Sequence, residues 1–572
     1  MLNKVELIYR SNRTKNEAGT VHRYMKLQSY LIYIQRQGKI KDIQFHFEDY
    51  KVFEEKMKEA IESCQSIVTK EVLVSILNNK LNYIRDSAND TYKQLLECED
   101  EELLEVFKIE TIMDRSSMYC ECITEDYLSE LVMKLHEGRS NKKIIDLCSG
   151  QGRFLSVAAK SYPKSQMAGI ELLELNVIDS KMILDMMSSD SSIYCGNLLH
   201  TPCVPNYDLV FCDYPRGIVP CDYLCNDKDG IFSFDNIRRE TDWAFAGKAI
   251  NSMNENGRVY VLMSARALNS SSERRVRKQV IDNGLLEMSI SFSADSRFYK
   301  VGEYSLLVFS KGNKTVKMVD ATSFCDRVGE NRIKVDEIVE AINNNSSEYV
   351  KIIDNETIIN NSYKLNSNTY FMEKITVPHA KQLKTVAETF RGVQYTSKQY
   401  TELNPGEGKY DILKISDIND DFLECTDLAS IDMPEKKAGR YLLKENDIII
   451  VSKGYVLKIA YVKDLGGKQV IPTGNLSVIR VTDKKVSPLY LFIFLMSSKG
   501  QALLDQCLVG STIKSLSKKE LDEMYIPAID LETQKKIEDR YLLLQGRIED
   551  LKDELNELKE KQNNIFESEV ES

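Results

Sequence analysis

A chain of 572 residues is too long to bury a single core and is expected to form three or four domains. A hydrophobic share of 42% with 28% charged residues is that of a soluble globular protein, and no apolar run approaches the roughly eighteen residues of a membrane span. The net charge of −11 excludes a globally basic nucleic-acid binder, so any contact with nucleic acid must come from local basic patches.

The first residues, MLNKVELIYR, lack the apolar segment of a signal peptide, so the expected compartment is the cytoplasm. Residues 1–108 carry helical periodicity, clearest over 49–64 and 70–84, with an acidic run over 97–105. No convincing nuclease pattern of spaced acids followed by Glu-x-Lys occurs there. The expectation is a helical packing domain without chemistry of its own.

Residues 109–315 read as an α/β domain organised around IIDLCSGQGRFL at 144–155. Two β-branched residues and Asp146 precede Gly150 and Gly152, and an apolar-periodic run follows, which predicts a strand turning tightly into a helix. Glycine lets a ligand lie against the backbone, with the N–H groups of the following helix aimed at it. About twenty residues on, a second short strand ends in Glu171, where an α/β sheet holds ribose hydroxyls. A third strand ends in Gly196-Asn197, and a fourth, YDLVFCDYPRG at 207–217, carries Asp213 and Pro215 at its carboxyl end. Four strands delivering polar residues to one edge define one crevice. Further along, a helix is expected over 243–253, a buried strand over 257–264, a helix carrying Arg274 to Lys278, and a closing strand over 302–311. The thirteen cysteines show no paired Cys-x-x-Cys spacing, so reduced thiols are expected and no metal site.

Residues 119–312 resemble the catalytic domain of amino-group DNA methyltransferases, the N6-adenine type found as modification subunits of type I restriction systems. The family's first motif, roughly Asp-Pro-x-Cys-Gly-Ser-Gly-Gly-Phe, is matched by DLCSGQGRF at 146–154, and its Asn/Asp-Pro-Pro-aromatic motif by DYPR at 213–216. The resemblance implies S-adenosylmethionine as cofactor. Gly150 and Gly152 would form its turn, with Asp146 fixing that turn and Ser149 and Phe154 in the same motif. Glu171 would accept from the ribose and Asn197 from the adenine amine. Thr124 stands where the family has Thr-Pro against the cofactor. Cofactor motif, catalytic motif and recognition region follow in the order of the family's γ group.

Residues 316–375 read as a connector rich in Asn and Ser, whose segment 361–370 resembles the tail of type I modification subunits. Residues 376–530 change to short β-rich runs between Gly and Asp turns, at 446–454, 474–480, 488–497, 510–516 and 524–529. That series resembles one target-recognition domain of a type I specificity subunit. It implies a duplex DNA partner, with Arg391, Lys414, Lys453 and Lys458 as candidate phosphate or base contacts. Doublets such as Lys436-Lys437 read as solvated surface. From Leu531 a long helix is expected, with Ile537, Tyr541, Leu544, Ile548, Leu551, Leu555, Leu558 and Ile565 stepping by four and three. Such a helix implies a homodimer or a second recognition module, unless it folds back on its own domain.

The expected fold class is therefore α/β: a Rossmann-like methyltransferase sheet (109–315) with an N-terminal helical domain (1–108), a connector (316–375), a C-terminal α+β target-recognition domain (376–530) and a terminal coiled-coil helix (531–572). The chemistry implied by the resemblance is methyl transfer to adenine N6 in a restriction-modification or phage-defence setting, beside a nuclease, translocase or specificity subunit and with no membrane. Asp213 and the carbonyl of Tyr214 would accept the two amino hydrogens of a flipped base, ahead of Pro215. Arg216 replaces the family's aromatic, and Tyr214 replaces its first proline. A guanidinium can stack on a base. As a fixed cation 4 Å from a sulfonium it is repulsive by roughly 4 kcal/mol at an effective dielectric near 20, about three decades of rate. Two readings follow: an active enzyme, or a chemically silent methylase fold serving as a DNA-binding or specificity subunit. Asp-x-Pro motifs also serve cytosine N4.

Overall fold

The computed structural model describes residues 4–12, 18–79, 88–108, 123–203, 205–215, 231–233, 240–294, 296, 303–326, 332–371, 375–395, 408–418, 421–425, 428–454, 458–509 and 514–564. The chain divides into two compact units, Met1–Phe371 and Met372–Ser572.

The first unit is built on strands β1 (Lys143–Asp146), β2 (Gln166–Glu171), β3 (Ser191–Cys195), β4 (Tyr207–Cys212), β5 (Met253–Ser264), β6 (Leu286–Phe292), β7 (Tyr304–Phe309), β8 (Thr315–Asp320) and β9 (Val350–Asp354). They form one sheet in the order β3-β2-β1-β4-β5-β7-β6-β8-β9. The first five are mutually parallel, and β7 runs antiparallel between β5 and β6. Ile144, Ile145, Leu209, Val210 and Phe211 are buried, as strands covered by helices on both faces require. The chain leaves β1 toward β2 and β3 on one side and returns to β4 on the other. A crevice therefore opens at the carboxyl ends of β1 and β4, with Asp146 in register with Phe211.

The helices expected near 49–64 and 70–84 are Tyr50–Ser63 and Ile67–Asn78, started by the side chains of Asp49 and Ser66, which cap free backbone N–H groups. The N-terminal region does not stand apart from the sheet domain. Tyr30 donates to Asp185 Oδ2 at 2.8 Å and Lys39 to Asp185 Oδ1 at 2.9 Å, so the helices Ala18–Arg36 and Glu174–Met186 share one buried polar seam.

Two expectations need correction. Residues 316–371 are not a loose connector: β8 pairs parallel with β6 and β9 antiparallel with β8, extending the same sheet. The short β-branched runs VKMVD and VKIID found an open sheet edge, and the Asn and Ser residues serve the turns after them, where Ser362 and Tyr363 take positive φ. Residues 488–497 are not extended either. Ser487 and the first-turn Pro488 start the helix Pro488–Met496, because a short wholly apolar run has no period to separate strand from buried helix.

The second unit centres on a five-stranded sheet in the order Ala387–Arg391, Leu476–Val481, Ile448–Val451, Ile459–Asp464, Phe422–Glu424. Its long helix Leu531–Asn563 begins at Asp530, whose carboxylate accepts from the Thr533 N–H at 2.9 Å. The seam of that helix is divided. Ile537 and Tyr541 pack on their own unit, the Tyr541 ring 6.3 Å from those of Phe422 and Phe492, whereas Leu544, Ile548, Leu551, Leu555 and Leu558 are 46–57% exposed. Among the described residues no helix is long and apolar enough to cross a membrane.

Candidate active site

The turn after β1 is held from every side by short bonds. The Cys148 N–H donates to Asp146 Oδ1 at 3.1 Å, and the Ser149 N–H to the Ile170 carbonyl of β2 at 3.0 Å. Gly150 and Gly152 take φ of +51° and +81°, in the region that disfavours a Cβ. A Cβ on Gly152 would also lie 2.9 Å from the Ser180 Cα. Ser180 Oγ donates to the Gly150 carbonyl at 2.9 Å, so one helix both crowds and bonds the turn.

Glu171 ends β2 and is buried. Its Oε2 accepts from the Gly150 N–H and its Oε1 from the Leu173 N–H, both at 2.8 Å. A carboxylate has about four acceptor positions, so two remain for hydroxyl groups. Ser149 Oγ is buried with no hydrogen-bond partner among the described residues. Asn197 is exposed beyond β3, and its Oδ1 caps the Leu199 N–H at 3.0 Å. A glycine cradle, an acid behind it and an orphaned hydroxyl beside it fit a nucleoside cofactor.

Phe154 is a correction. Its ring stacks on Phe211 of β4 at 3.9 Å and 8° in the core beneath the turn, so it fixes the helix Arg153–Ser161 to the sheet and does not face a ligand. The turn's orientation is also set by Arg153, whose Nη2 reaches Asp126 Oδ1 at 2.9 Å.

At the end of β4, Asp213 is buried and accepts a hydrogen bond from Thr124 Oγ1 at 3.0 Å. The segment ahead of the glycine turn thus meets the Asp-x-Pro motif directly. Tyr214 is buried, with its ring stacked on Phe245 at 4.8 Å and 11°. That stacking supplies by packing the stiffness that the missing proline would have supplied by its ring. Pro215 follows, half-buried, and Arg216 lies outside the described residues. The half-buried Cys148 has its thiol pushed well above the usual range by the neighbouring Cys212 and by burial, which suits packing and not nucleophilic attack.

Of the four residues expected to touch DNA, two are engaged inside their own unit. Arg391 bonds Ser452 Oγ at 3.2 Å and Lys458 donates to the Ile418 carbonyl at 2.9 Å. Lys414 is half-buried, and the side chain of Lys453 lies outside the described ones. Lys436, Lys437 and Arg440 form one exposed basic cluster, with the Lys437 ammonium 4.2 Å from the Tyr395 ring centroid. They read as plain surface charge in sequence, because Tyr395 is remote along the chain.

The sheet order, the glycine turn with its acid and the Asp-x-Pro motif at the neighbouring strand end define a methyltransferase domain. Residues 113–377 match the N-6 DNA methylase family, and residues 379–560 match the type I restriction modification DNA specificity domain. The two matches follow one another in the same polypeptide. Among solved structures it is similar to the methyltransferase subunit of a type I restriction-modification system from Streptococcus thermophilus, at 15% identity over 63% of this chain and 96% of that one, with a TM-score of 0.50. It is also similar to the type IIG restriction endonuclease BpuSI, at 12% identity over 94% of this chain and 75% of that one, with a TM-score of 0.48.

Proposed function

We propose that this chain methylates adenine N6 in duplex DNA, at sites chosen by its second unit, within a restriction-modification or phage-defence system. The observation that carries the reading is that Asp213, bonded to Thr124, follows directly on the strand adjacent to the one that leads into the glycine turn. The exocyclic nitrogen of adenine is a poor nucleophile because its lone pair is delocalised into the ring. Asp213 and the Tyr214 carbonyl accept the two amino hydrogens, which localises the lone pair and aims it. Stacking of Tyr214 on Phe245 holds that carbonyl in place. S-adenosylmethionine, when bound, supplies an electrophilic methyl group. Gly150, Gly152, Ser149, Glu171 and Asn197 are the residues that would hold it.

The duplex is gripped by the second unit, with the exposed Lys436, Lys437 and Arg440 as phosphate contacts and Lys437 seated on the Tyr395 ring. A nuclease or translocase subunit completes the setting. The exposed ladder from Leu544 to Leu558 pairs with the same helix of a second copy.

The test is transfer of tritium from labelled cofactor to genomic DNA by the full chain, with Asp213→Ala as control. Label appearing on adenine and lost in Asp213→Ala supports the reading. No transfer, with cofactor still bound by calorimetry, overturns it in favour of a silent specificity subunit. Gain of transfer in the double variant Tyr214→Pro, Arg216→Tyr would then identify the lost chemistry.

A further inference from the structure

The helix Ala18–Arg36 presents His22, Lys26 and Tyr30 at four-residue spacing, on one face, to the helix Glu174–Met186 and its surroundings. Tyr30 bonds Asp185 at 2.8 Å, and His22 Nε2 makes a 2.8 Å bond with the Val106 carbonyl. Lys26 does something different. It is 2% exposed, and its ammonium reaches Asp179 Oδ2 at 2.8 Å and Gln151 Oε1 at 2.7 Å. Gln151 is the residue between Gly150 and Gly152.

A buried ammonium is expensive unless it is paired and hydrogen-bonded, and an apolar side chain of like length would fill the same space more cheaply. Burial lowers the pKa of Lys26, with Asp179 opposing that shift. The charge is therefore retained against its desolvation, and one of its two partners is the tip of the cofactor turn. Asp179 adjoins Ser180, which bonds the Gly150 carbonyl at 2.9 Å. Two neighbouring residues of one helix thus reach the two sides of the turn, one directly and one through Lys26.

We infer that Lys26 is a positioning residue for the cofactor turn, so that the N-terminal helical region sets the affinity of the methylase site. This rests on the reading that the turn binds S-adenosylmethionine. With two left-handed glycines in three residues, the turn has many competing conformations. The Gln151 anchor selects one of them, and a turn already held in its binding conformation spends less of the cofactor's binding energy on ordering. By linkage, whatever shifts the helix Ala18–Arg36 shifts cofactor affinity, and cofactor binding steadies that helix in return.

The test is calorimetric titration of the full chain with S-adenosylmethionine. Lys26→Met alone strands the Asp179 carboxylate, so the main variant is Lys26→Met with Asp179→Asn, which removes both charges, and its melting temperature is recorded alongside. The expected result is cofactor binding weakened roughly tenfold at a nearly unchanged melting temperature. Gln151→Ala weakens it similarly, and the triple variant is no weaker than either. Wild-type binding with unaltered affinity in Lys26→Met, Asp179→Asn overturns the inference. So do losses that simply add between Gln151→Ala and the charge-pair variant. Absence of binding by the wild type overturns the cofactor reading itself, and the inference with it.

Discussion

Thr124 Oγ1 donates to Asp213 Oδ2 across 3.0 Å, joining the lead-in to the glycine turn with the Asp-x-Pro motif 89 residues later. Both groups are buried, so the hydroxyl is a fixed donor and not a passing solvent contact. It holds one carboxylate oxygen and leaves the other with its geometry set. Thr124→Val keeps the shape and removes the donor. A hydrogen bond to a charged group contributes about 1.5–3 kcal/mol, so methyl transfer is expected to fall by roughly ten- to a hundredfold in kcat, with KM for cofactor little changed. Thr124→Ser should retain most of the rate. Equal rates for Thr124→Val and wild type would separate this bond from catalysis.

Gly152 has two independent reasons to be glycine, its φ of +81° and the Ser180 Cα 2.9 Å from where a Cβ would sit. Backbone strain of about 1–2 kcal/mol and crowding of about 1–3 kcal/mol both act in Gly152→Ala. Gly150→Ala meets the backbone strain as well, its φ being +51°. Both variants are expected to melt below wild type and to lose cofactor affinity. Thermal melts with and without S-adenosylmethionine check it, and a stabilising shift by cofactor in Gly152→Ala would contradict it.

The glycine turn, Glu171 and the Asp-x-Pro motif were legible because each couples a backbone requirement to a chemical group at fixed spacing. Phe154 was not, since a motif position says nothing of which way a ring points, and Phe211 lies 57 residues further on. Lys26 escaped notice for a similar reason: one lysine in an amphipathic helix resembles surface until its partners, Asp179 and Gln151, are known. Arg391 and Lys458 show the converse, basic residues whose bonding is satisfied inside the fold. The run 488–497 and the strands β8 and β9 were misread because neighbours across the sheet, and not local period, decide such segments.

Glu273 is fully buried beside Arg266, and burial pushes its pKa up to about 7, with Arg266 drawing it down and Asp242 adding to the rise. The folded value lies above the ordinary 4.5, so between these two pH values the folded state binds more protons than the unfolded one. Stability therefore falls as pH rises from about 4.5 through 7, by on the order of 2–3 kcal/mol. Glu273→Gln is neutral throughout. It should flatten that decline and melt higher than wild type at pH 8, while matching it near pH 5. Parallel melting curves for the two proteins across this range would refute the assignment.

The free ladder of the terminal helix, Leu544 to Leu558, has a charge pattern that distinguishes two ways of pairing with a second copy. With these residues at alternating a and d positions, Arg547 and Glu554 fall at g and Lys552 and Lys559 at e. In a parallel pair Arg547 would face Lys552 of the partner subunit, a repulsion that offsets the attraction of Glu554 to Lys559 of the partner subunit. In an antiparallel pair with Ile548 against Leu551 of the partner subunit, Arg547 meets Glu554 of the partner subunit twice over. All these side chains are exposed, so each pair contributes only about 0.3–0.5 kcal/mol, which is enough to set direction but not affinity. Leu551→Arg is expected to give monomers by light scattering where wild type gives dimers. Arg547→Glu should weaken an antiparallel dimer, and Glu554→Arg added to it should restore the wild-type constant. A parallel dimer would respond with the opposite sign, strengthening on Arg547→Glu alone, so a single sedimentation series decides between the two directions.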